Sequence, residues 1–180
     1  LALANFETTA GNPAGAQRVL EDWLAENPDS TGIRLALAIS LGIAGETSRS
    51  LVEYERVLEA DPDNFAALNN LAWETRKTDP ESATAYAKRA LEVAPDSAAA
   101  LDTLAMAQYY GKDYEAAERS IKRALDAAPN QPSMMFHMAK IDTALGNKAL
   151  AARNLTRLLE QHSDFPEIEE ARALLKSIQP

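Results

Sequence analysis

The chain holds very few side chains suited to catalysis. His137 and His162 are its only histidines, and it has no cysteine. Thiolate chemistry, disulfides and Cys-ligated metals are therefore excluded. The two histidines lie on different predicted helices and read as partly exposed helix residues rather than as a catalytic or metal-binding pair. Glu169 and Glu170 are adjacent, and neighbours in a helix point apart, so they make a solvated face rather than an acid–base couple. There is no glycine-rich phosphate loop, no zinc-ligand spacing and no nucleophile elbow. The sequence thus leads us to expect no catalytic residue, no metal site and no cofactor.

What must position any functional side chain is a helical scaffold. Apolar residues make up 46% of the 180 and aromatics only 6%, with Ala and Leu, both good helix formers, prominent. The formal net charge of −9 repels nucleic-acid phosphates and anionic membrane surfaces, so neither is an expected partner. No stretch approaches the ~20 apolar residues of a membrane-spanning helix, so no direct insertion is expected. The opening run Leu1-Ala2-Leu3-Ala4-Asn5-Phe6 lacks a Met and is already in helical register. It reads as a cut end, within a first unit that is truncated, with no signal peptide.

Pro28, Pro62, Pro95 and Pro129 recur at intervals of 34, 33 and 34 residues. Leu24, Leu58, Leu91 and Leu125 stand four before them, and Asp29, Asp63, Asp96 and Asn130 stand directly after. Leu159 begins a fifth copy that ends on Ser163-Asp164 without a proline. Proline cannot continue a helix, so one helix ends before each. Ser30, Asn64, Ser97 and Asn130 are the expected caps of the helices that follow. A second break falls midway through the units, with caps expected at Asn12, Asp79, Asp113 and Asn147. Gly11, Gly45, Gly111 and Gly146 are expected at or beside the left-handed ends of the preceding helices. Each unit is then helix, tight turn, helix and Pro-marked loop.

Small residues recur in the same frame. Ala38, Ala72, Ala105 and Ala139 share one register of the first helices, and Ala16, Ser50, Ala83, Ala117 and Ala151 share one of the second. They allow close helix approach, while the Leu four before each proline is expected in the core. Repetition at this period, with Ala116-Ala117 through Ala124-Leu125 to Pro129 as its clearest copy, resembles the tetratricopeptide repeat family. The third unit is one residue short near Lys77-Thr78, and Trp23 and Leu158 stand where the family usually has Ala. The resemblance implies an all-α, right-handed superhelical solenoid of about five helix–turn–helix units, the first truncated. Their expected bounds are 1–30, 31–64, 65–97, 98–131 and 132–164. A C-terminal capping helix over 165–180 is expected to follow. Asp164 with Glu167 would form its capping box, and Phe165, Ile168, Ala171, Leu174, Leu175 and Ile178 its apolar face.

The resemblance implies binding rather than chemistry, with the first helices lining a concave groove. The expected groove residues are Asn69, Trp73 and Arg76, then Asp102, Met106 and Tyr109, then Phe136 and Lys140. Such a mixture of amide, aromatic and charged groups suits a peptide or protein partner. The Lys and Arg of the chaperone-tail clamp known in the family are missing from the corresponding positions, which include Gly32, Ala66 and Ala99, so no such clamp is expected. Leu35, Ile39 and Ile43 form an apolar strip that would support the alternative, a self-associating scaffold. A homodimer would use that strip or the truncated N-terminal end. Asn69-Asn70-Leu71-Ala72-Trp73, Leu101-Asp102-Thr103-Leu104-Ala105 and the tail from Phe165 to Leu175 also resemble the repeat lipoproteins of bacterial exosortase (PEP-CTERM) and exopolysaccharide systems. That resemblance implies an adaptor in the periplasm or cell envelope; the alternative compartment is the cytoplasm.

Overall fold

The computed structural model describes residues 13–179. These form ten helices and no strand: α1 (Pro13–Glu26), α2 (Thr31–Ile43), α3 (Thr47–Ala60), α4 (Phe65–Thr75), α5 (Pro80–Val93), α6 (Ala98–Tyr110), α7 (Tyr114–Ala127), α8 (Pro132–Ala144), α9 (Lys148–Gln161) and α10 (Ile168–Ile178). The pairs α2/α3, α4/α5, α6/α7 and α8/α9 are antiparallel hairpins, and each second helix also packs on the first helix of the next pair. The first helices α2, α4, α6 and α8 approach closely in succession, whereas successive second helices stand further apart and meet through long side chains, as Arg49 of α3 does with Glu21 of α1. This asymmetry gathers the first helices into one layer of an all-helical repeat solenoid. No described helix is long and apolar enough to cross a membrane.

The small-residue registers are what permit this layering. Ala38, Ala72, Ala105 and Ala139 are completely buried, as are Ser50, Ala83, Ala117 and Ala151, with Ala16 nearly so. Burying the Ser50 hydroxyl without a partner would be unfavourable, and it donates to the Ala38 carbonyl oxygen at 2.8 Å, bracing α2 against α3.

The leucine register needs correction. Leu24 is buried, but Leu58, Leu91 and Leu125 are only half-buried. The fully enclosed position lies one residue earlier, at Val57, Ala90, Ala124 and Leu158. Val57, Ala90 and Ala124 are enclosed jointly by their own hairpin and the first helix of the next pair. The leucines lie across the seam to the next pair, where Leu58 meets the clusters around Leu71 and Leu68 and Leu91 those around Leu68 and Leu101.

The punctuation also holds in part. Main-chain N–H groups donate to the side chains of Asn64 (3.0 Å), Asp79 (3.1 Å), Ser97 (3.3 Å) and Asp113 (3.1 Å). Ser30 and Asn147 occupy cap positions without a side-chain cap bond, and Gln131 rather than Asn130 precedes α8. With Pro132 at the first turn of α8, one of the donors that Asn130 would have capped is absent. Gly45 (φ +78°) and Gly146 (φ +85°) take the left-handed conformation, but Gly111 does not. The equivalent turn residue is Lys112, at φ +65°. Its N–H donates to the Tyr109 carbonyl oxygen, as that of Gly45 does to Gly42 and that of Gly146 to Thr143. Asn12 and Gly11 lie outside the described residues.

The C-terminal helix begins three residues later than expected, at Ile168. The Asp164–Glu167 capping box does not form, because Glu167 turns its carboxylate to accept the Ser133 hydroxyl hydrogen of α8 at 2.7 Å. The apolar face does form. Phe165 and Ala171 are buried, and Ile168, Leu174, Leu175 and Ile178 pack beside them over Phe136, Leu155 and Leu158.

Candidate binding groove

Along α4, Asn69, Trp73 and the C-capping Arg76 follow one another at intervals of four and three residues, which puts them on one helical face. The Arg76 guanidinium lies over this face, its Cζ 3.5 Å from the Trp73 ring centroid, and one of its terminal nitrogens donates to the Trp73 carbonyl oxygen. Stacking of this kind is open to arginine because its planar cation is weakly hydrated. Burial lowers the Arg76 pKa, while Tyr110, Glu74, Asp102 and Glu167 oppose that effect; an arginine nonetheless stays charged. Two buried polar atoms on the face have no hydrogen-bond partner: Asn69 Oδ1 and Arg76 Nε. An acceptor and a donor left idle two turns apart, on either side of an aromatic ring, are a costly arrangement unless something else meets them.

The neighbouring first helices complete the groove. Lys140 of α8 holds its ammonium 5.4 Å from the Tyr109 ring centroid, 5.5 Å from Phe136 and 5.7 Å from Tyr110. The Lys77 ammonium lies 5.7 Å from Tyr110. Neither lysine, nor Arg76, has an ion-pair partner among the described residues. Two adjoining hollows open between these side chains. One, of about 50 Å³, is lined by Trp73, Arg76, Lys77, Tyr110 and Lys140 and by the carboxylates of Glu167 and Glu170. The other, of about 220 Å³, lies between Tyr109, Phe136, Lys140, Thr143 and Leu174.

Not every residue expected in the groove lies open to it. Asn69, Trp73, Arg76, Tyr109 and Lys140 are half-buried along it, but Asp102, Met106 and Phe136 are buried. They share the helical face, but Asp102 is closed in against His137 of α8, and Phe136 is packed under Phe165 and the C-terminal helix. The reading of His137 as partly exposed is also wrong. It is 4% exposed, its Nδ1 is 2.7 Å from Asp102 Oδ1, and its ring lies 5.9 Å from that of Trp73. Asp102 therefore supports the groove floor through His137 instead of facing a ligand. Both Tyr109 and Tyr110 are half-buried, in an edge-to-face pair at 5.3 Å. On α2, Leu35 is half-buried, while Ile39 and Ile43 are 38% and 77% exposed.

Glu167 and Glu170 were missed as groove residues, since nothing in a helical tail says which unit it folds back on. The Asp102–His137 pair did leave a trace. The two residues are 35 positions apart, one repeat plus one, on consecutive first helices. A larger cleft lies elsewhere, about 620 Å³ between α1, α2 and α3. Its charged walls are already matched, as Arg34–Glu53, Arg56–Glu53 and Arg49–Glu21, so it offers fewer idle groups than the groove.

Comparison with known proteins agrees with this architecture. Two family models described as tetratricopeptide repeat match residues 1–40 and 76–132. No curated protein matches the chain. Among solved structures, MamA of Desulfovibrio magneticus RS-1, from residue 41 to its end, superposes with a TM-score of 0.79 at 20% identity, over 88% of this chain and 90% of that one. A thermophilic tetratricopeptide repeat protein of Thermus thermophilus gives 0.76 at 21% identity, over 99% and 96%. A tetratricopeptide repeat protein of Parabacteroides merdae ATCC 43184 gives 0.78 at 18% identity, over 97% and 70%. At these identities the likeness establishes the fold.

Proposed function

Given that this chain belongs to the tetratricopeptide repeat family, we propose that it is a non-catalytic interaction module that takes a peptide or protein segment along α4, α6 and α8. The observation that carries this reading is the half-buried face of Asn69, Trp73 and Arg76, beside Lys77 and Lys140, with none of the three cations in an ion pair among the described residues. A bound segment supplies acceptors for those cations, and Trp73 with the two tyrosines supplies the broad rigid surfaces that anchor side chains. The test is capture of partners from the source organism by the immobilised chain and by the Asn69→Ala/Trp73→Ala variant. Partners that bind the first and not the second, with the variant still unfolding cooperatively, support the groove. Partners that bind both equally overturn it.

A second reading is a self-associating scaffold, favoured by the exposed Ile39 and Ile43 beside Leu35. Light scattering tests it, and a strict monomer over a wide concentration range sinks it. The resemblance of the α4, α6 and C-terminal sequences to exopolysaccharide-system lipoproteins supports an adaptor role in bacterial cell-envelope assembly. Exopolysaccharide or exosortase genes beside this one would strengthen that role, and their absence would remove its basis.

A further inference from the structure

Three cations stand in the groove without an ion-pair partner among the described residues. In a molecule of net charge −9, Arg76, Lys77 and Lys140 converge on the hollow of about 50 Å³. Carboxylates face them from three elements: Glu74 from α4, Asp102 from α6, and Glu167 and Glu170 from the C-terminal segment. None of the four forms an ion pair with any of the three cations. Asp102 is committed to His137 and Glu167 to the Ser133 hydroxyl. The cations are held instead against the rings of Trp73, Tyr109, Tyr110 and Phe136. Ring contact fixes a cation in place but leaves its hydrogen-bond donors largely unused.

Size and neighbourhood narrow the occupant. A hollow of about 50 Å³ has room for a group the size of one carboxylate and not for an aromatic side chain. The adjoining hollow of about 220 Å³ has walls from Tyr109, Phe136 and Leu174 and suits a branched aliphatic or aromatic group. Phe136, Lys140 and Glu170 border both hollows. A ligand that fills the two therefore carries its acidic group close to its apolar one.

We propose that the groove selects protein segments in which an Asp or Glu is adjacent to, or one residue away from, a large apolar side chain. The carboxylate accepts from Lys77 and Lys140 beside Arg76, and the apolar group enters against Leu174. The inference rests on the groove reading above, and its own content is the chemistry of the partner.

Selection from a display library of random short peptides tests it, followed by fluorescence anisotropy of one enriched peptide with the intact chain. The expected result is enrichment of the acidic–apolar pair. Replacing the acidic residue by its amide should weaken binding roughly tenfold, the size of a lost charge-assisted hydrogen bond. Lys77→Glu should weaken it comparably, and because Lys77 is exposed that variant keeps the fold. Lys140→Gln is the second variant. Enriched peptides without an acidic residue, or affinity indifferent to the amide and to both lysine variants, overturn the inference. If such peptides still require Asn69 and Trp73, the groove reading survives. If no peptide is enriched, or none requires those residues, the groove reading fails as well.

Discussion

His137 Nδ1 lies 2.7 Å from Asp102 Oδ1, and both side chains are almost fully enclosed between α6 and α8. The bond joins consecutive first helices directly beneath the Trp73 ring. Removing one partner of a buried polar pair leaves the other without its hydrogen bond, which costs about 1–3 kcal/mol. Asp102→Ala should lower the unfolding free energy measured in urea by that amount, with a lower midpoint, and Asp102→Asn, which keeps a hydrogen-bonding oxygen, should lower it less. Equal midpoints for all three proteins would show that the pair does not hold the layer together.

Asp142 is a different kind of buried acid. It is 1% exposed on α8, and neither carboxylate oxygen has a hydrogen-bond partner. Burial pushes its pKa up, and Glu118 of α7 adds to the shift. Lys122 of α7, Asn147 at the N-cap of α9 and Asn154 within α9 act the other way, but neither amide achieves hydrogen-bond geometry to it. A folded-state pKa above the unfolded one means that the folded chain binds the proton more tightly. The associated stability is full below the ordinary Asp range and is lost as pH rises through the raised value. Asp142→Asn should therefore raise the thermal midpoint at neutral pH, with the gain shrinking as the medium is acidified toward the ordinary Asp range. A gain independent of pH would assign the effect to packing instead of to charge.

These two acids show where sequence reasoning stops. The helices were legible because proline, cap and alanine registers act within one unit or between identical units, so Ala72 and Ala105 announce the same contact. Asn69, Trp73 and Lys140 were legible as a helical face. Whether that face is open depends on how α4, α6, α8 and the C-terminal helix pack together, and no spacing within a helix encodes that packing. Hence Asp102, Met106 and Phe136 share the face and are nevertheless covered. The return of Glu167 to Ser133 is a tertiary choice that outweighed a local capping box.

Lys112 stands in the left-handed region at φ +65°, in a turn whose counterparts are Gly45 and Gly146. A side chain there strains the backbone by roughly 1–2 kcal/mol, which glycine relieves at the price of a more flexible unfolded chain. Lys112→Gly should stabilise the fold by about 0.5–1 kcal/mol, since relief of strain exceeds the entropic loss. The exposed lysine side chain forms no ion pair that could offset this gain. Chemical denaturation of the two proteins checks the sign, and a destabilised variant would mean that the turn tolerates Lys112 without strain.

The seam and the centre of the hairpins should differ in energetic weight. Leu68 is fully buried between α4 and its neighbours, whereas Leu58 closes the seam between α3 and α4 half-buried. Leu→Ala at an enclosed site that cannot collapse costs about 2–5 kcal/mol, made up of lost transfer energy and a cavity. Solvent can reach the space vacated at Leu58, so its truncation should fall near the lower end of that range or below. In a stack where each pair contacts only its neighbours, the seam variant should also broaden unfolding by loosening the coupling between units, while the Leu68 variant weakens a unit itself. Urea denaturation with hydrogen exchange on the two variants separates these effects. Equal losses, with equally sharp transitions, would mean that Leu58 belongs to the hairpin core after all.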